Sequence, residues 1–228
     1  MMTENKKPFV CSFCNHGFSK ESTIITHICE PKRRSLAQHE KHVVLAYKAF
    51  NRFQQLNALK VKSYDEFSKS PYYLGFVKFG SFINNIKPLY PNTFVDYVIK
   101  SGTKLDHWCK QGLYDKYVVE LIRTENVETA LSRSIEHMVS WASENNTEWN
   151  QYFNKVSLSR ATYDIQDGKI SPWLILNAPT GKTLLSKFND EQLLMINSVI
   201  DPKYWISKFK KSSNDVIFVK HIVEESGL

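Results

Sequence analysis

Apolar residues recur at helical spacing along most of the chain. Leu36, Val43, Tyr47, Phe50 and Phe53 line one face of a helix, and Leu131, Ile135, Met138 and Val139 line another within residues 126–144. Strict two-residue alternation, the mark of a half-buried strand, is rare. The helix-start signals agree. Ser63 and Glu66 fit a capping box, and Ser35 stands as an N-cap. Ser70-Pro71 and Asp201-Pro202 each pair an N-cap with proline at the first helical position. Asn189 precedes Asp190-Glu191 and an apolar run, while Gly102, Gly112 and Gly168 read as stops or turns. The pattern predicts a mainly α protein and also admits a short strand around Trp173–Leu176. Its zones are residues 1–30, a small hairpin-and-helix element; 31–62, a basic linker and amphipathic helix; and 63–228, an all-α helical domain.

Composition supports a folded chain: 42% of the 228 residues are hydrophobic and 13% aromatic, enough to build a core. Apolar runs such as Val43–Ala46 are four residues. A membrane span needs ~20. Met1–Phe9 shows no apolar leader, so no membrane partner is expected. Charge sharpens the division. The net charge is +7, and residues 1–62 hold 11 Lys/Arg against 4 Asp/Glu, while residues 63–228 hold 19 against 19. The excess belongs to a basic arm, and the rest is electrically balanced.

Four cysteines make no disulfide framework, but Cys11, Cys14 and Cys29 fall close together beside His27. A reducing, cytoplasmic setting and a metal site are the economical reading. The pattern is Phe9-x-Cys11-x2-Cys14-x3-Phe18-x5-Ile24-x2-His27. Cys-x2-Cys aims two thiolates from one tight turn, and the following hairpin and helix return an imidazole to face them. Phe18 and Ile24 supply a tiny apolar core. So short a segment buries too little to fold alone, so metal must supply the folding free energy; tetrahedral Zn suits sulfur and nitrogen ligands.

These residues resemble the two-cysteine, two-histidine zinc-finger family over residues 8–29, which implies a small ββα fold. The second histidine, due three to five residues after the first, is missing: residues 31–33 are Pro, Lys and Arg. Cys29 is the nearest candidate, giving Cys11, Cys14, His27 and Cys29 as metal ligands. Residues two apart on a helix point ~200° apart, so the helix must end at His27 and the chain must turn. Glu30-Pro31 fits such a stop. His39 and His42, folding back from the next helix, are the rival fourth ligands. His16 faces solvent.

The resemblance also implies that Lys20, Thr23 and Thr26 occupy the helix positions that touch bases in DNA-reading fingers. The run Lys32, Arg33, Arg34 and the helical stripe Lys41, Lys48, Arg52 add candidate phosphate contacts. The stripe also reads as an ordinary solvated face. Two functions follow: a nucleic-acid-binding protein of low sequence specificity whose body, residues 63–228, recruits a protein partner, or an adaptor in which zinc only stabilises a docking surface.

An enzyme is the minor reading. Ala178-Pro-Thr-Gly-Lys-Thr183 follows an apolar run, but Leu176 stands where a phosphate-binding loop needs glycine, and a Gly turn between helices accounts for it. Asp106-His107-Trp108-Cys109 and Glu136-His137 show no catalytic spacing, and Tyr72, Tyr73, Phe76, Phe79, Phe82, Trp205 and Phe209 read as core. Ser70-Pro-Tyr-Tyr73, Phe76–Gly80 and Lys169–Trp173 resemble uncharacterised proteins of large tailed bacteriophages, which implies a transcription, replication or packaging setting in a host cytoplasm.

Overall fold

The computed structural model describes residues 8–228; the reading of Met1–Phe9 as lacking a leader falls largely outside the described residues. The chain is mainly α, with one two-stranded sheet at its start. It divides into two compact units, Met1–Cys109 and Lys110–Leu228.

The first unit opens with β1 (Phe9–Val10) and β2 (Gly17–Phe18), antiparallel with Phe9 opposite Phe18. Then come α1 (Glu21–Thr26), α2 (Glu30–Leu36), α3 (Lys41–Leu56), α4 (Tyr64–Ser68), α5 (Tyr73–Ile86) and α6 (Pro91–Lys100). Its centre is α3 packed on α5. Gly80 permits the approach: a Cβ there would lie 2.1 Å from the His42 carbonyl oxygen and 2.7 Å from the Ala46 nitrogen. Rings fill the space beside it. Phe50 meets Phe67 at 5.0 Å and Phe76 at 5.2 Å, and Trp108 meets Phe79 at 5.1 Å. Such pairs add stability beyond their burial.

The N-terminal hairpin and helix are not on a free tether. Arg34 Nη1 donates to the Ser68 carbonyl at 2.6 Å, and the Tyr64 hydroxyl donates to the Arg34 carbonyl at 2.6 Å. The Arg34 guanidinium also lies 4.5 Å from the Tyr73 ring centroid. Packing therefore crosses the charge boundary at residue 62. Charge patterning reports the solvent face of α3, whereas its apolar face, with Val43, Ala46, Ala49 and Phe50 buried, decides what it packs against.

The second unit comprises α7 (Gln111–Thr124), α8 (Val127–Asn145), α9 (Tyr152–Lys155), α10 (Leu158–Gln166), α11 (Pro172–Ile175), α12 (Pro179–Leu185), α13 (Asp190–Ile196), α14 (Pro202–Lys211) and α15 (Ser213–Ser226). Helix α8 runs against α9, α11 and α15. Trp173 stands 5.7 Å from Trp205 and 5.1 Å from Phe209, and Trp141 5.1 Å from Tyr152.

Three expected caps are present. Ser63–Glu66 and Asn189–Gln192 form capping boxes, and Asp201 accepts from the Lys203 and Tyr204 amides ahead of Pro202. Other local readings are corrected. Trp173–Leu176 is no strand: Ser171 caps Trp173 and Pro172 opens α11, so the apolar run is a fully buried helical turn. Ser35 lies inside α2, Leu36 is 66% exposed, and α3 starts only at Lys41. Gly112 sits in the first turn of α7 rather than at a stop. Ser70-Pro71 opens a turn, and α5 begins at Tyr73.

Candidate metal centre

The Cys11–His16 turn builds the first half of the site. The Asn15 amide donates to the Cys11 carbonyl at 2.8 Å, and the Cys11 amide to the His16 carbonyl at 2.9 Å. Asn15 adopts φ 57°, the left-handed conformation that asparagine tolerates better than most residues. The turn aims both thiols inward. Helix α1 supplies the other half and stops at Thr26. His27 (φ −68°, ψ 121°) and Cys29 (φ −83°, ψ 164°) are extended, so their side chains return to the same side. Glu30-Pro31 contributes differently from the expectation. It does not merely stop a helix; it starts α2, with Cys29 in the N-cap position and proline in the first turn.

The ligand atoms of Cys11, Cys14, His27 and Cys29 all lie within 4.8 Å of one another. Cys11 and Cys29 sulfurs are 3.9 Å apart, and Cys14 Sγ lies 3.3 Å from His27 Nε2. Zn–S and Zn–N bonds of about 2.3 and 2.0–2.1 Å at tetrahedral angles place S···S near about 3.8 Å and S···N near about 3.5 Å. The two closest pairs match those separations, and the remaining donors lie near enough to share one tetrahedral ion. Among the described residues this is the cluster that can hold a metal; His16, His39 and His42 are not in it. Phe18 packs between His16, edge-on, and His27, tilted, with ring centroids at 4.8 and 4.7 Å, and steadies the imidazole.

Backbone amides of Cys14 and Phe13 pull the Cys11 thiol below its ordinary value, since an N–H favours the thiolate. Cys14 moves the other way. The His16 amide favours its thiolate, but partial burial and the neighbouring Cys11 and Cys29 thiols outweigh that. Crowded thiols resist ionising together until a cation joins them.

The candidate nucleic-acid residues divide into committed and exposed groups. Arg52 is held by Asp96 through two bonds of 2.5 Å, which raise the arginine and lower the carboxyl. Arg34 is occupied by Ser68, Glu30 and Tyr73. Lys32 Nζ donates to the His27 carbonyl at 3.0 Å, closing the turn over the site. The Thr26 hydroxyl bends back to the Ser22 carbonyl. Lys20, Thr23, Arg33, Lys41 and Lys48 are exposed; Arg33 contacts Glu30 at 3.3 Å. The finger surface also carries exposed Val10, Phe13, Ile25 and Ile28. The candidates thus do not form one continuous cationic face made of all nine side chains.

Sequence reasoning missed a polar centre in the second unit. Asp164 is fully buried and receives the Tyr152 hydroxyl and Arg160 Nε, each at 2.9 Å. His137 Nε2 lies 2.9 Å away, and Lys169 Nζ 3.4 Å from the other oxygen. Burial alone would push this carboxyl up; the partners, led by His137, overcome it and hold it near about 2. Gly168, at φ 76°, turns the chain so that Lys169 comes back to Asp164. Only the Arg160–Asp164 pair, four residues apart on a helix, carried a local signal. The loop-like Ala178–Thr183 segment is instead the start of α12, with Gly181 buried against the Ile175 carbonyl. Cys109, half-buried, has its thiol raised by burial.

No helix among the described residues is long and apolar enough to cross a membrane. No protein-family model, curated protein or solved structure matches the chain, so its chemistry is read from the site itself.

Proposed function

We propose that this is a non-enzymatic, zinc-binding protein that holds nucleic acid through its N-terminal unit. One observation carries the reading: a four-donor metal cluster closes within the region that holds the whole excess of positive charge. Zinc supplies architecture there, fixing α1 against the hairpin. Lys20, Arg33, Lys41 and Lys48 then provide phosphate contacts, with Thr23 at the exposed edge of α1. Such contacts favour affinity over sequence readout. The body recruits or regulates a protein partner, in a phage-type transcription, replication or packaging setting suggested by the sequence resemblance.

A second reading has its own support. Val10, Phe13, Ile25 and Ile28 leave apolar surface on the finger, which suits a protein-docking module. One experiment separates the two. Metal content of the full-length protein is measured, and its binding to DNA and RNA oligonucleotides is followed against salt. The nucleic-acid reading expects about one zinc per chain and an affinity that falls linearly on log–log axes. A flat salt response, or no binding at low salt, removes it and leaves the adaptor.

A further inference from the structure

Two of the basic residues singled out by sequence, Lys48 and Arg52, line the same cavity. It has a volume of about 540 Å³ and lies beside α3 and α6. Leu45, Ala49, Ile83 and Val95 give it apolar walls; Gln55 and Asn92 bring side-chain amides. Lys48 and Arg52 are one helical turn apart, so both reach the groove from one face of α3. Asp96 binds Arg52 through Nε and Nη2, both at 2.5 Å.

That bidentate grip matters. Asp96 takes one edge of the Arg52 guanidinium, through Nε and Nη2, and leaves Nη1 outside the pair. The guanidinium plane is fixed, and the side chain remains 43% exposed. A fixed, exposed guanidinium plane is a stacking platform for a nucleobase. Lys48 is exposed and offers a mobile point charge, suited to the adjoining phosphate. The groove volume is in the range of small-ligand sites.

We propose that this groove takes one unstacked nucleotide of a single strand. The base lies on Arg52 above the apolar wall, the amides of Gln55 and Asn92 meet its edge, and Lys48 holds the phosphate. The inference rests on the nucleic-acid reading above and narrows it from any phosphate backbone to strands with accessible bases. A duplex hides its bases and would touch only the charges.

The test uses the full-length protein, with a labelled single strand of about 20 nucleotides and the matching duplex as probes. Arg52→Lys keeps the charge and removes the plane. It should weaken single-strand binding about tenfold and leave duplex binding within about twofold. Gln55→Ala, at an exposed position, keeps the inference testable should Arg52→Lys disturb the α3–α6 pair; it should cost about threefold on the single strand alone. Circular dichroism checks the fold of each variant. Equal losses on both probes, or none on either, overturn the groove and leave the nucleic-acid reading standing. Failure of the wild type to bind either probe overturns both.

Discussion

The finger and the Lys110–Leu228 unit solve the same problem by opposite means. Among residues 8–42 only Cys11 is buried, and α1 and α2 contribute no buried residue. In the second unit Trp173, Trp205, Tyr152 and Phe153 are each at most 1% exposed. A core of that kind repays chain entropy through apolar burial. The finger has no such reserve, and a metal held by its four clustered donors would supply the missing order. The second unit also affords buried charge, because Asp164 and the Glu125–Arg133 pair are surrounded by partners. The lesson is that burial and metal binding are alternative sources of order: the second unit relies on the first, and the Cys/His cluster has the donors for the other.

The largest test of that contrast is metal removal. Structural zinc supplies about 10–16 kcal/mol in finger peptides. Chelation, or Cys11→Ser, should therefore collapse the amide dispersion of residues 8–29 in NMR spectra while the near-ultraviolet signal of the Trp173–Trp205 pair persists. Zinc stoichiometry should fall in Cys29→Ser as well; an unchanged value would return the fourth position to another donor. Loss of both spectral signatures together would break the comparison.

Next in size is Asp164→Ala. It strands the Tyr152 hydroxyl, Arg160, His137 and Lys169, and removing one partner from a buried ionic cluster costs about 3–5 kcal/mol. Urea unfolding monitored by tryptophan fluorescence should show the loss, with zinc content unchanged. The same carboxyl sets an acid limit. Its folded value is held near about 2, below that of an unfolded aspartate. Its stabilisation is thus complete above about pH 4 and fades as pH falls toward about 2, amounting to about 2 kcal/mol. Asp164→Asn should flatten that part of the pH profile.

The smallest effect tests where metal dependence ends. Gly80→Ala drives a methyl into the His42 carbonyl and the α3 backbone, and overpacking of this kind costs about 1–3 kcal/mol. The loss should appear in thermal unfolding without a change in zinc affinity, since α3 and α5 have their own aromatic core. A coupled loss of zinc would move the boundary into α3.

Legibility followed range. The finger spacing and the caps at Ser63, Asn189 and Asp201 are local, so they were readable from neighbouring residues. The helix stop at His27 was readable because two ligands two residues apart demand it. The Trp173–Leu176 run misled because four consecutive apolar residues suit a buried strand or a buried helical turn equally, and the Ser171-Pro172 start signal decides between them. Leu36 misled because its periodicity with Val43 ignored the break at Glu40, whose extended backbone precedes α3. The commitments of Arg34 and Arg52 were invisible, since Ser68 and Asp96 lie 34 and 44 residues away.

By itself the sequence determined a mainly helical chain, an N-terminal Cys/His cluster able to hold a metal and the place of its positive charge, because turns, caps, ligand spacing and charge are properties of short segments. Tertiary structure alone decided which cations remain exposed, that α3 belongs with α5, and that Asp164 is encircled by groups from four segments. Those outcomes depend on packing between residues distant along the chain, where burial makes each unpaired charge too costly to leave.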